Sequence, residues 1–284
     1  MNACPSCGVE SSDVRIIRRF APKRTLSTAN PSHTGLLVDV ETTGLDSATD
    51  AIIQFACVPF TFTRDGQICE LGKPIVIFND PGRPIPPEIT TLTGITDDMV
   101  RGHLLRELPF AKDAPEVDLV VAHNAAFDRP FVERALPGFA ALPWGCAMAD
   151  VPWNDEGYHG YRLEWLAYEH AGWFYDAHRA DLDCLVALHL LTIPLPSGRN
   201  PFALVLEAAR RKWVRIYAFN APFSTKETLK ARGYKWNPAL KVWWTDVDFE
   251  DEPAEYVWLA DHIPSVEPGA APFGARKRFS ERVR

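Results

Sequence analysis

The strongest constraint in this chain is a short stretch in which an apolar strand runs straight into two carboxylates. Gly35-Leu36-Leu37-Val38 reads as a buried strand, and Asp39-Val40-Glu41-Thr42-Thr43-Gly44 follows it without a break. Residues i and i+2 of a strand point to the same face, so Asp39 and Glu41 stand side by side, about 7 Å apart along the backbone. Two unpaired anions at the end of a hydrophobic strand raise each other's proton affinity, and burial penalises both. A divalent cation relieves that cost. The plainer reading of an isolated D-x-E is a pair of loop or capping carboxylates in the turn after the strand. What weakens it is that further carboxylates recur downstream in similar settings.

Composition frames the rest. The chain has 284 residues, 46% of them hydrophobic and 24% charged, as in a globular protein with one ordinary domain and a smaller appendage. No apolar run approaches the roughly 20 residues that span a bilayer, and the N-terminus has no basic-then-apolar signal pattern. The expectation is a cytoplasmic protein with no membrane partner. A net charge of −7 argues at first sight against nucleic acid. The charge is unevenly spread, however, and a site built from metal-binding carboxylates is itself acidic.

Residues 1–34 carry Arg15, Arg18, Arg19, Lys23 and Arg24 and a Ser/Thr/Asn/Pro-rich run without amphipathic period, which predicts a mobile leader. Of the six cysteines, only Cys4-Pro-Ser-Cys7 has metal-like spacing. A structural zinc site needs four ligands, and no second C-x-x-C is present; the nearest histidine is His33. The pair is open to three readings: half of a zinc site, a redox pair or a relic. Cys57 and Cys184 lie in apolar surroundings and read as small core residues.

After the first strand, Ala51–Val58 reads as a second strand returning antiparallel, continued by Phe60 and Phe62 to a turn at Arg64-Asp65-Gly66. Residues 74–78 supply another strand. Pro87 to Gly94 has Pro at the start and Gly at the end of a short helix, and Thr96 opens a second. Asp118–Ala122 is the next strand, leading directly into His123-Asn124-Ala125-Ala126-Phe127-Asp128 and a helix with Phe131, Val132 and Leu136 on its apolar face. Strand ends that pass straight into helices are where open α/β sheets bind ligands, which puts Asp128 at the rim of Asp39 and Glu41 if the strands are neighbours. The plainer role for Asp128 is to favour the first turn of its helix. Residues 146–150 read as a short strand, and 163–171 as a helix ending at Gly172. A longer helix follows, with Leu182, Leu185, Val186 and Leu190 buried and with Asp183 about one turn beyond its start. His178 stands just before it and becomes a general-base candidate beside the carboxylates.

D-x-E-T-T-G, H-N-A-x-F-D and H-x-A-x-x-D, in that order and with Leu92-Thr93-Gly94-Ile95 between the first two, resemble the DEDDh 3′–5′ exonucleases, the family of the polymerase III epsilon proofreading subunit. The resemblance covers residues 35–193. It implies an α/β, ribonuclease-H-like fold with a mixed five-stranded sheet flanked by helices, over residues 35–196. It also implies that Asp39, Glu41, Asp128 and Asp183 hold two Mg²⁺ or Mn²⁺ and that His178 is the general base. Thr42, Leu45, Asn124 and Phe127 would contact the terminal nucleotide, Leu45 and Phe127 by packing on its base; ordinary core packing is the alternative for those two. Asp181 matches no ligand of the family. The implied reaction is hydrolysis of phosphodiester bonds at DNA 3′ ends, single-stranded or frayed, releasing nucleoside 5′-monophosphates in repair, end-processing or proofreading. RNA trimming and a non-catalytic nucleic-acid-binding role on a nuclease fold are the alternatives. The implied partners are DNA 3′ ends, with RNA not excluded, and replication or repair proteins.

Beyond the linker at 194–198 the resemblance ends. Residues 210–243 hold nine Lys or Arg residues against a single acid, Glu227, interleaved with aromatics. Val214–Phe219 and Val242–Thr245 read as strands, with a helix over 225–232, giving a small α+β module over residues 201–262. Basic and aromatic side chains together suit single-stranded nucleic acid, with Arg232, Lys235, Trp236 and Trp244 as candidate contacts. A solvated basic surface over an aromatic core is the alternative. Residues 263–284 are expected to form a disordered basic tail.

Overall fold

The computed structural model describes residues 15–283 apart from 109, 111, 112 and 114; Cys4 and Cys7 lie outside the described residues. In chain order the first half comprises β1 (Arg18–Arg19), β2 (His33–Thr42), β3 (Ile52–Phe62), β4 (Ile68–Leu71), β5 (Ile75–Phe78), α1 (Pro87–Thr93), α2 (Asp97–Val100), β6 (Leu119–Ala122) and α3 (Ala125–Ala135). Then come β7 (Trp144–Cys146), α4 (Ala147–Asp150), α5 (Leu163–Ala171), β8 (Trp173–Phe174), α6 (Ala180–Leu190) and α7 (Pro201–Arg210). The C-terminal part comprises β9 (Trp213–Phe219), α8 (Lys226–Ala231), β10 (Lys235–Asn237), β11 (Val242–Asp248), α9 (Glu252–His262) and β12 (Glu267–Phe273).

The main sheet has the order β4-β3-β2-β6-β7, with β5 also paired to β3, so it is six-stranded rather than five. β2 pairs antiparallel with β3, and β6 and β7 run parallel to β2. The sheet is therefore mixed and ribonuclease-H-like, with helices on both faces. Period-two alternation sorts the strands into two cores. Leu37, Ala56, Val58, Leu119 and Val121 face α5, α6 and α7. Leu36, Val38, Phe55, Cys57, Val120 and Ala122 face α3. Because β2 is covered on both sides, its middle is continuously apolar, which is why it is recognisable in the sequence.

Several expectations change. Residues 15–34 are laid on the body rather than loose: β1 pairs parallel with β8, and Phe20 is buried against Trp173 and His189. The 146–150 segment is not a strand, since β7 ends at Cys146 and the chain turns into α4, whose first turn is capped by the Cys146 sulfur. Asn200-Pro201 starts a helix rather than a separate module. The Asn200 side chain accepts from the Phe202 and Ala203 amides, and Pro201 fits the first helical turn. Phe202 then meets Phe60 and Phe62 edge-on at 5.4 and 5.2 Å, so α7 belongs to the nuclease core.

The second sheet is antiparallel, in the order β10-β11-β9-β12, with Leu229, Leu259 and Ile263 packed on one face. The expected disordered tail instead supplies β12. Pro268 and Pro272 hide it in the sequence, but β12 is an edge strand, where a missing N–H costs no ladder bond. Residues 275–283 then fold back onto the nuclease. Arg129 of α3, fully buried, donates to the carbonyls of Ala275, Arg276 and Arg278 at 2.8, 2.6 and 2.6 Å. Arg278 faces the buried Asp150 carboxylate, and Arg282 bonds Glu133.

Candidate active site

β2 delivers Asp39 and Glu41 to the end of the sheet where β6 runs into α3. At this end the β2–β3 pairing shifts register between Glu41 and Thr42, which releases the following loop from the sheet. The first turn of α3 brings Asp128 to the same rim, and the Val40 amide donates to its carboxylate. α6 packs across β2 and β3 and presents Asp183 from its first turn. Ligand oxygens of Asp39, Glu41 and Asp183 all lie within 4.8 Å of one another. Asp128 is not one of that trio, but its charge is the strongest of the neighbouring anions acting on Asp39.

The loop after β2 is built to be rigid. The Asp50 carboxylate accepts from the Thr43 hydroxyl at 3.1 Å, the Asp46 amide at 3.1 Å and the Arg83 guanidinium at 3.0 Å. A Cβ on Gly44 would sit 2.4 Å from that carboxylate, so only glycine lets Asp50 reach the turn. Thr42 donates to the Gly44 carbonyl at 2.6 Å. Leu45, at the loop tip, is 86% exposed, an apolar side chain with no packing partner in the fold's interior. Asn124 precedes α3, but its side chain makes no capping bond. Phe127 is half-buried against Phe131, with ring centres 5.1 Å apart.

Residues 36–191 match the family model described as Exonuclease, RNase T. The chain belongs to the exonuclease family. It is 34% identical over 166 residues to DNA polymerase III subunit epsilon of Treponema pallidum, covering 54% of this chain and 73% of that one. It is 40% identical over 114 residues to the DNA polymerase III PolC-type protein of Listeria welshimeri, covering 37% of this chain but only 8% of that much longer one. Among solved structures, Exonuclease X in complex with 5′ overhanging duplex DNA aligns at 25% identity and a TM-score of 0.44, covering 61% of this chain and 98% of that one. E. coli Exonuclease I in complex with a dA16 oligonucleotide aligns at 20% identity and 0.46, covering 65% and 48%.

The electrostatics of the exonuclease site test whether a divalent cation fits. Burial, then the charges of Asp128, Asp183 and Glu41, hold the Asp39 carboxyl well above its usual range. Burial pushes Asp128 up to about 8, against the Val40 amide, which pulls the other way. Burial and Asp183 raise Glu41 to about 7, and burial raises Asp183 to about 6. No Lys or Arg forms an ion pair with any of these four among the described residues. Hard oxygen donors crowded together without a cationic side chain are the donor set that Mg²⁺ and Mn²⁺ prefer. The residues fit the group.

His178 occupies the left-handed backbone region, with φ of 62°, just before α6. Non-glycine residues rarely adopt it, and such strain of about 1–3 kcal/mol concentrates at functional sites. The ring is 42% exposed, with Nε2 3.6 Å from a Glu164 carboxylate oxygen. It lies close enough to Asp183 to lower that carboxyl's proton affinity.

Sequence reasoning missed several supporting residues. Tyr175 donates its hydroxyl to Asp183 at 2.8 Å, and that bond holds the carboxylate in place. Asp50, Arg83 and Glu164 were passed over because nothing local marks them; only the folded loops bring them to the site. The C-terminal candidates do not converge on the site. Arg232 is paired with the buried Glu255 carboxylate at 2.8 Å and lies over Trp258. Trp244 is half-buried beneath Arg215, 3.8 Å from its ring centre, with Lys235 5.5 Å away. Trp236 lies tilted against Trp243, with ring centres 5.5 Å apart, and is 47% exposed.

Proposed function

We propose that the protein is a metal-dependent 3′–5′ exonuclease that hydrolyses phosphodiester bonds at DNA ends and releases nucleoside 5′-monophosphates. The observation that carries this is the convergence of Asp39, Glu41 and Asp183 within 4.8 Å, with no Lys or Arg ion-paired to them among the described residues. Asp39, Glu41, Asp128 and Asp183 would hold two Mg²⁺ or Mn²⁺, which supply charge neutralisation and stabilise the oxygens that enter and leave phosphorus. His178 takes the proton from the attacking water at its ring nitrogen, the general-base task that a positioned imidazole most often performs. Its exposure and strained backbone support that role, because the ring can swing toward the carboxylates once the substrate arrives. Leu45 offers an apolar surface to the terminal base, and Phe127 the opposite wall. Asn124, with its amide unspent on helix capping, is available to hydrogen-bond the nucleotide, and Thr42 fixes the turn that carries Leu45.

DNA is the favoured polymer because the curated relatives are DNA polymerase subunits. An ordered second sheet locked onto the nuclease supports repair or end-processing rather than service as a dedicated proofreading subunit. No helix among the described residues is long and apolar enough to cross a membrane. Incubating the protein with 3′- and 5′-labelled single-stranded DNA, frayed duplex and RNA, with and without Mn²⁺, tests the proposal. Mononucleotide release from the 3′ label first, only with metal, is expected. Internal cuts, 5′ attack or metal-independent hydrolysis would overturn it.

A further inference from the structure

A second cavity lies away from the carboxylates, at the seam between the two sheets. It is a groove of about 510 Å³ lined by Pro143, by Arg210, Arg211 and Lys212 at the end of α7, and by the turn after β12 with Arg276 and Lys277. Five cations thus meet from two segments more than sixty residues apart, and no carboxylate lines the groove, in a chain whose net charge is −7. All five are exposed. Arg210 is tied to the Arg64 carbonyl and Arg276 to the Ala141 carbonyl, bonds that orient the guanidinium without neutralising it. Arg211 has only long contacts, 3.9 Å to Glu207 and 3.6 Å to Asp248. Neither Lys212 nor Lys277 forms an ion pair among the described residues. Gly274, on the groove wall, has open space where a side chain would stand.

Four of the five cations, Arg210, Lys212, Arg276 and Lys277, form no ion pair among the described residues, so an internal ion-pair network does not account for the cluster, and a polyanion would relieve its mutual repulsion. From this geometry we infer that the groove is an accessory site for the phosphate backbone of the nucleic acid whose end occupies the active site, an inference that rests on the nuclease reading. Strand geometry makes the two sites reachable by one polymer. Pro143 precedes Trp144, the partner of Val120, and is thus level with Leu119 and Gly35, four residues before Asp39. At about 3.3 Å per residue along the strand and about 4.8 Å per strand across, the near wall lies roughly 16 Å from the carboxylates. Duplex phosphates recur about every 3.4 Å along a strand, so roughly five base pairs span that distance. The groove grips the polymer without touching the reacting phosphorus. It also reconciles an acidic chain with a polyanionic substrate, since the metal-binding carboxylates and the cations occupy separate places.

The double variant Lys212→Ala/Lys277→Ala tests this, with Lys73→Ala, in the exposed loop between β4 and β5, as control. Binding of a fluorescent 20-base-pair DNA is measured by anisotropy at 50–300 mM NaCl, with Asp183→Asn in every chain to prevent hydrolysis. Loss of two phosphate contacts should flatten the slope of log affinity against log salt by about 2, so that the wild-type advantage shrinks roughly tenfold between 50 and 200 mM. A trinucleotide, too short to reach the groove, should bind both chains equally. An unchanged slope, an equal change in Lys73→Ala, or an equally weakened trinucleotide would each overturn the assignment. Hydrolysis of a 5′-nucleotide aryl ester by the Asp183-containing chains keeps the two readings apart. If wild type and the double variant both cleave it while the slope is unchanged, the groove fails and the nuclease stands. If neither cleaves it, the nuclease reading has failed on its own.

Discussion

Replacing Glu41 by Gln removes one site carboxylate while preserving the shape of its side chain. Burial, and next the charge of Asp183, raise the Glu41 carboxyl from its ordinary 4.5 to about 7. The folded chain therefore binds this proton more tightly than the unfolded chain does. Without divalent cation, the resulting stability is fully present below about pH 4.5 and is lost as pH rises through about 7. At about 1.36 kcal/mol for each tenfold change in proton affinity, the gap corresponds to about 3 kcal/mol. For a chain of this size, that is a fall in Tm of roughly 6–12 °C between pH 5 and pH 8. Glu41→Gln should lack this portion of the fall, so that at pH 8 in chelator the variant melts above wild type. Millimolar Mg²⁺ should reverse the ranking, because it binds the folded wild-type site and stabilises it by mass action. Scanning calorimetry at pH 5, 6, 7 and 8, in chelator and in Mg²⁺, reads all four quantities. A wild-type Tm that is flat or rising over this range in chelator, or an equal fall in the variant, would refute the argument that unneutralised carboxylates strain the metal-free fold.

His178→Ala should keep metal and DNA affinity yet lose about 10²–10⁴ in turnover; single-turnover hydrolysis at the wild-type rate would remove His178 from the mechanism. Tyr175→Phe deletes the bond that lowers the Asp183 proton affinity, so that carboxyl should rise above about 6. The ascending limb of the pH–rate profile should move to higher pH by roughly one to two pH units, with Mg²⁺ affinity at pH 6 reduced in calorimetric titration. Arg129→Met leaves three backbone carbonyls of the C-terminal segment without their donor, and should cost about 3–5 kcal/mol in denaturant unfolding. A loss below about 1 kcal/mol would mean that this buried guanidinium does not hold the C-terminus to the nuclease.

Much of the nuclease half is legible in the sequence because its signals are local. An apolar run that ends in D-x-E marks a doubly covered strand, and Gly66 and Gly94 mark a hairpin and a helix end where the backbone takes positive φ. The order of Asp39, Glu41, Asp128, His178 and Asp183 along the chain is likewise a property of sequence, and it points to the same family as the comparison over residues 36–191. What tertiary structure decided is everything that depends on distant segments meeting. A strand containing Pro268 and Pro272 carries no local strand signal, and only its edge position beside β9 makes it one. Phe20 and Phe202 lie in stretches that read as leader and boundary, and only the waiting faces of the core bury them. Arg129 looks like any charged helix residue, yet it sits at the centre of a carbonyl cage supplied by residues nearly 150 positions away. The basic residues at 210–212 and 276–277 are two ordinary solvated runs in the sequence. They become one groove because β12 returns the chain to the end of α7, and charge density in space depends on that return rather than on spacing along the chain.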